Sequence, residues 1–289
     1  MSDEMHTGST PDIPQQIVPI LSGGGTRLPA HIGILKALQE LDIQFDTIVG
    51  VSGGSIVAAL YAAGCSLDDI YALSVKTNFK QFREFSLWRL FYKGGLASGD
   101  RFESWMDAQL KGARFGDLPM DLSVLATDIN GGGPVVFNRT LTPEIKVSKA
   151  IRYSMSIPLI FSFQIYKEHI MVDGAILAED ALFEDWRGDG TPSICFRLKS
   201  ELLEKPLNLK HRLMLPQYIG LLIKTFMAAI SREYVHADYW HNTLVINTGD
   251  ASAVDFDISE EKKQALFDAG YSTVKQFLPI KLLRAFAAR

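Results

Sequence analysis

Two glycine-rich turns have the residue types that ester chemistry needs. Leu21-Ser22-Gly23-Gly24-Gly25-Thr26-Arg27 and Gly50-Val51-Ser52-Gly53-Gly54 each follow a short apolar run and precede a helical pattern. A serine between glycines at a strand-to-helix corner has the pattern of a nucleophile elbow, where the turn is too tight for neighbouring side chains. Bare amides in a nearby glycine turn can face the oxyanion that forms when such a hydroxyl attacks an ester. The hydroxyl is a weak nucleophile until a base takes its proton. In Ile170-Met171-Val172-Asp173-Gly174-Ala175, Asp173 stands at the C-terminal end of an apolar strand, where open sites form in α/β sheets. Asp173 is therefore the candidate base for Ser52.

Elements of a recognisable kind must position these groups. Ile17–Leu21 reads as a buried strand, and Ile32, Leu35, Leu38 and Leu41 recur at helical spacing after Pro29, which suits a first helical turn. Thr47–Val51 is a second strand and Ser55–Ala63 a second helix, so the βαβα order implies a parallel sheet. Ser66 and Asp69 resemble a capping box opening a helix through Lys76, and Arg101–Leu110 reads as another. Leu122–Asp128, Val135–Phe137, Phe161–Ile165, Ile170–Val172, Ser193–Leu198 and Thr243–Asn247 carry strand signals, with Phe161–Ile165 folding back on Ile170–Val172 across Lys167-Glu168. Pro216–Tyr234 and Ser259 through Phe277 read as helices. The fold class expected is α/β, a three-layer sandwich with a mostly parallel central sheet. Residues 1–15 are expected to be a flexible leader, 16–200 the catalytic core, and 201–289 a portion completing the same domain.

Bulk composition narrows the function classes. With 289 residues and 47% hydrophobic composition, the chain can bury one large core. Cys65 and Cys195 form neither a CxxC nor a Cys/His ligand spacing, which argues against a disulfide framework or a metal site and fits a reducing, cytoplasmic setting. Met1–Gln15 lacks the basic-then-apolar order of a secretory signal. A formal net charge of -4 gives no reason to expect nucleic acid as a partner. The lipophilic stretch Tyr218–Ile230 contains Lys224 and falls short of the ~20 residues of a membrane span.

Taken in order, Gly-Gly-Gly-Thr-Arg, Gly-Val-Ser-Gly-Gly and Asp-Gly-Ala resemble the patatin-like phospholipases. Lys149–Pro158 is similar to that family's helix and Ser-Ile-Pro turn before the aspartate strand. The resemblance implies a Ser–Asp dyad without histidine, Ser52 as nucleophile and Asp173 as base, with an acyl-serine released by water. It implies that backbone amides of Gly24, Gly25 and Gly53 hold the oxyanion, in a turn completed by Gly23 and supported by Arg27. The substrate implied is a glycerophospholipid or another acyl ester, of phospholipase A or lysophospholipase type, with no cofactor and no need for calcium. Two departures stand out: Leu28 replaces the usual glycine, and Ala175–Asp180 lacks the Asn and Pro common after the Asp-Gly pair.

Other readings compete for the same residues. A phosphate-binding loop lacks its lysine and Ser/Thr here. A Ser-His-Asp esterase or thioesterase would draw on His211, His236 or His241, although the elbow falls on only the second strand. Asp128 is a second carboxylate, read as capping a turn. A regulated lipid-binding effector with low intrinsic activity would share the fold. Phe79–Lys93 mixes rings with cations, which suits peripheral contact with the inner face of a membrane, while a buried flank explains the same composition. Some bacterial proteins resembling the family are switched by cyclic nucleotides. Arg232, Tyr234, His236, Tyr239, Trp240 and His241 have the chemistry to hold such a ligand, although aromatic clusters are more often core.

Overall fold

The computed structural model describes residues 15–82, 86–201 and 237–287, together with 218, 221, 222 and 225. The first strand, β1 (Val18–Ser22), is buried throughout, as a continuous apolar run at the centre of a covered sheet should be. The triple glycine leads into α1 (Leu28–Glu40), with proline in its first turn. Parallel to β1 runs β2 (Thr47–Val51), placing Leu21 opposite Gly50 and Ser22 opposite Val51. Only Ser52 separates β2 from α2 (Gly53–Ala62). The Ser66 hydroxyl accepts from the Asp69 amide at 3.1 Å and starts α3 (Leu67–Lys76).

Next come α4 (Leu87–Lys93), β3 (Gly95–Ala97) and α5 (Asp100–Gln109). The chain re-enters the sheet as β4 (Asp121–Asp128), parallel to β2, and returns antiparallel as β5 (Gly133–Phe137). After α6 (Val147–Ser154) stand three short strands, β6 (Leu159–Phe161), β7 (Gln164–Tyr166) and β8 (His169–Val172). The remaining elements are α7 (Glu179–Leu182), β9 (Ser193–Lys199), β10 (Thr243–Asn247) and α8 (Glu260–Ala287).

Among the described residues the main sheet runs β10-β9-β1-β2-β4-β8-β7, with β5 also paired to β4. From β10 to β4 every pairing is parallel, and β5, β8 and β7 are antiparallel additions at one side. The alternation of side chains splits the core in two. Leu21, Ile48, Leu122, Val124, Ile194 and Phe196 face α1, α2 and α8, whereas Val18, Ile20, Val49, Val51, Leu125 and Cys195 pack with Ala178, Ala181 and Leu182 around α7. The fold is thus the three-layer α/β sandwich with a mostly parallel central sheet.

Two elements depart from the sequence reading. The strand expected over Phe161–Ile165 divides at Ser162. Its first part, β6, pairs in parallel with β3 in a separate small sheet, because the Ser162 amide donates to Ala97 O at 2.9 Å and Arg152 donates to Ser162 O at 2.9 Å. Its second part, β7, turns onto β8 as expected. The last helix continues past Phe277 to Ala287 with Pro279 inside it. Tertiary packing offsets a proline cost of ~3 kcal/mol. Leu278 and Leu282 are buried, and α8 lies so close to α1 that a Cβ on Gly270 would sit 2.0 Å from Ala30 O. The helix expected over Pro216–Tyr234, the expected leader other than Gln15, and the residues His211, Arg232, Tyr234 and His236 lie outside the described residues, apart from isolated positions of that helix. No helix among the described residues is long and apolar enough to cross a membrane.

Candidate active site

Because Ser52 alone joins β2 to α2, it carries the whole turn, with φ 52° and ψ -130°. A left-handed φ on a residue with a Cβ costs on the order of 1–3 kcal/mol and persists only where its surroundings impose it. Here they do. The Ser52 amide donates to Ser154 Oγ at 2.8 Å, and the Ser52 carbonyl accepts from the Ser55 amide at 2.9 Å and the Ser55 hydroxyl at 2.6 Å.

Asp173 follows β8 and is completely buried. Although 121 positions separate them in sequence, Ser52 Oγ donates to Asp173 Oδ2 at 2.7 Å. The other carboxylate oxygen accepts from the Ala175 amide at 2.9 Å, and the Asp173 amide donates to Ser156 O at 3.0 Å. Burial pushes the Asp173 pKa up to about 7, against the pull of the hydrogen bonds from Ser52 and Ala175. A carboxyl group tuned this way can exchange a proton with a hydroxyl near neutral pH.

The glycine turn lies beside this pair. Gly23, Gly24 and Gly25 have φ of 73°, 114° and 53°, a succession that only glycine adopts without strain. The Gly23 amide is taken by Val51 O at 3.1 Å, and the Gly23 carbonyl accepts from the Gly54 amide at 2.9 Å. The amides of Gly24 and Gly25 donate to nothing among the described residues. Gly53 opens α2, where an amide has no intrahelical acceptor. A Cβ on Gly53 would fall 2.5 Å from Gly25 N, so the two backbones touch and the free amides gather in one place.

Arg27 and His31 brace the turn from behind. The Arg27 side chain is buried, donates from Nε to Gly24 O at 3.1 Å and from Nη1 to Thr248 Oγ1 at 2.8 Å, and burial lowers its pKa to about 10. The sequence reading did not single out His31, although it follows Arg27 by one helical turn and so shares its face. Fully buried, it places Nε2 2.9 Å from Gly23 O. Burial drives its pKa down to about 4; the Gly23 hydrogen bond opposes the shift and the Arg27 charge adds to it. The imidazole is therefore neutral, with the proton on Nε2 because a carbonyl can only accept. Its Nδ1 has no partner among the described residues. Ser154, equally unforeseen as a support for Ser52, lies inside the Lys149–Pro158 segment.

Of the competing residues, Asp128 and His241 are described and sit elsewhere in the hydrogen-bond network. Asp128 lies 2.5 Å from His169 Nδ1 and accepts from the Asn130 amide at 3.1 Å, so it caps its turn. His241 is exposed in a 3-10 turn before β10. Besides Asp173, the Ser52 hydroxyl meets Met155 Sδ at 3.8 Å, and no histidine bonds to it among the described residues. Phe79 and Phe82 are buried, with Phe82 edge-on to Phe102 at 5.6 Å, whereas Trp88, Phe91 and Tyr92 are exposed. Trp240 is exposed beneath Lys281 Nζ, 5.3 Å from the ring centre.

Fold and site together define a class, the lipid acyl hydrolases built on an α/β sandwich. The sequence model of the patatin-like phospholipases matches residues 20–182, and the chain belongs to that family. It is 28% identical over 284 residues to the uncharacterized protein YqhO of Bacillus subtilis, covering 90% of this chain and 97% of that one. A 72-residue stretch is 44% identical to lysophospholipase NTE1 of Pyricularia oryzae, which is 24% of this chain and 4% of that protein. Among solved structures, VipD from Legionella pneumophila superposes with a TM-score of 0.63 at 14% identity, over 93% of this chain and 67% of VipD.

Proposed function

We propose that this lipid acyl hydrolase cleaves the acyl ester of a glycerophospholipid or lysophospholipid through a Ser52–Asp173 dyad. The observation that carries the reading is the 2.7 Å contact between Ser52 Oγ and a buried carboxylate oxygen beside unclaimed glycine amides. In the first half-reaction Ser52 Oγ attacks the carbonyl carbon as its proton passes to Asp173 Oδ2. The developing oxyanion takes hydrogen bonds from the amides of Gly24, Gly25 and Gly53, each worth ~10²–10³ in rate for donors of this kind. Collapse breaks the ester bond, and the leaving alcohol receives the proton held by Asp173. Water then attacks the acyl-serine as Asp173 accepts its proton, and collapse breaks the bond between Ser52 Oγ and the acyl carbon, with Asp173 returning the proton to Ser52 Oγ as the fatty acid departs.

Arg27 and His31 act in this scheme by fixing the carbonyls of Gly24 and Gly23, which aims the adjacent amides. The short lysophospholipase match supports a phospholipid or lysophospholipid substrate, and such a substrate implies peripheral contact with a membrane. The chemistry asks for no metal or organic cofactor, because a direct carboxylate base and backbone donors complete it. Mass spectrometry of products from a mixed phospholipid extract tests the reading. Wild type should release fatty acid with a matching lysolipid or glycerophosphodiester, and Ser52→Ala should release none; equal release by the variant would refute the assignment.

A further inference from the structure

Helix α4 carries the three most exposed large apolar side chains among the described residues: Trp88, Phe91 and Tyr92, at 75%, 75% and 77% exposure. Helical spacing puts positions 88, 91 and 92 on one face, with Arg89 and Lys93 one turn apart on its flank, and the helix contains no carboxylate. The rings of Trp88 and Tyr92 stack with centroids 6.4 Å apart, and Phe163 from the turn after β6 extends the aromatic surface over the end of the helix beside Gly94. Aromatic faces edged by cations suit the boundary of an anionic bilayer, where rings enter the headgroup region and cations meet phosphates.

The placement of α4 connects this face to the site. The Ser86 amide, just before α4, donates to Leu96 O at 2.8 Å, which ties the helix to β3. In turn β3 pairs with β6, and Ala97, Ile160 and Phe161 from these strands pack with Ile157 and Ala253 in one apolar cluster. Ala253 O accepts from the Thr26 amide at 2.9 Å in the glycine turn, and Met155, two residues before Ile157, touches Ser52. Backbone pairing and this buried cluster thus tie the exposed helix to the segment that carries Met155 and to the glycine turn. A second copy of the chain is a poor occupant, because a symmetric contact through α4 would set Arg89 and Lys93 against their own copies.

We infer that α4 seats the protein on an anionic lipid surface, its three rings at the interface and Arg89 and Lys93 at the phosphates. The expected effect on turnover rests on the reading of Ser52 as a lipid acyl hydrolase; the docking surface is measured apart from it. Flotation is compared for wild type, Trp88→Ala/Phe91→Ala and Arg89→Gln/Lys93→Gln, using phosphatidylcholine vesicles with and without phosphatidylglycerol.

Wild type should float with the anionic vesicles. The double aromatic variant should lose roughly tenfold in partitioning per ring removed, at ~1.4 kcal/mol for each tenfold. The double charge variant should lose its preference for phosphatidylglycerol. Turnover of vesicle lipid should fall with flotation while hydrolysis of a soluble short-chain ester does not. Unchanged flotation in the aromatic variant, or loss of a dimer by light scattering instead, would overturn the inference. A wild type that floats but hydrolyses neither substrate would leave the surface standing and remove the enzymatic reading.

Discussion

The backbone amide of Ser52 donates to the hydroxyl of Ser154 at 2.8 Å, so the left-handed turn at the proposed nucleophile is held by the last residue of α6. Two residues later, Ser156 O accepts from the amide of Asp173. One short segment therefore positions both members of the proposed dyad. Ser154→Ala would leave a buried amide unpaired, a loss of ~1–3 kcal/mol in stability. A lower unfolding temperature and a kcat reduced by about tenfold with little change in KM are expected, the rate change equivalent to ~1.4 kcal/mol. Unaltered values of both would show that the elbow keeps its shape without this bond.

The pH dependence follows from the raised pKa of Asp173. A base that must be ionised, with a pKa of about 7, should make kcat/KM climb up to pH 7 and level off above it. The effect on stability has the opposite direction. From an ordinary 3.8 to about 7, the folded protein holds a proton that the unfolded chain releases, so this contribution is present in acid and lost as pH rises through 7. Asp173→Asn should therefore be inactive yet more stable than wild type at pH 8, by up to about 4 kcal/mol. Denaturant unfolding at pH 5 and pH 8 measures the difference, and a variant destabilised most at the higher pH would contradict a raised Asp173 pKa.

His31 behaves as a positioning residue. Replacing it by leucine removes the donor to Gly23 O, and a loosened glycine turn should lower kcat by ~10–100-fold, less than the ~10²–10³ that outright loss of one oxyanion donor costs. His31→Gln, whose amide N–H can reach the same carbonyl, should recover most of the rate. Because the His31 pKa is depressed to about 4, its contribution to stability is present above the ordinary 6.5 and lost as pH falls toward 4. The glutamine variant should lose less stability across that acid window than wild type does. No difference in kcat between leucine and glutamine would mean the imidazole only fills space.

A side chain at position 25 should be intolerable for both shape and rate. A Cβ there would lie 1.9 Å from Ala253 O on a backbone with φ 53°. Gly25→Ala is expected to cost ~10²–10³ in kcat through the misplaced amide. Turnover at least equal to wild type would show that this amide does not face the reacting oxygen.

Much of this arrangement was readable from residue order, for stated physical reasons. Buried parallel strands are unbroken apolar runs, so β1, β2 and β4 stand out, and glycines at their ends mark turns where nothing larger fits. Ser52 and Asp173, the proposed dyad, stand out because each closes such a strand. What escaped notice depends on contacts between distant segments. The β3–β6 sheet consists of two three-residue strands whose pairing is set by Arg152 and Ser162, not by any alternation of their own. The end of α8 is decided by its packing on α1, which overrides Pro279. His31 reads as one polar residue on an apolar helix until the fold brings Gly23 O to it.

In the proposed mechanism the Asp173 carboxylate, and no imidazole, takes the proton of Ser52. It is tested most directly by the rate of fluorophosphonate labelling at Ser52, followed by intact-protein mass spectrometry at pH 8. Asp173→Asn should slow labelling by ~10²–10⁴, the usual worth of a general base, while His31→Gln, His211→Ala, His236→Ala and His241→Ala label within about tenfold of wild type. Labelling of Asp173→Asn at the wild-type rate, or its abolition in any one of the histidine variants, would contradict the account.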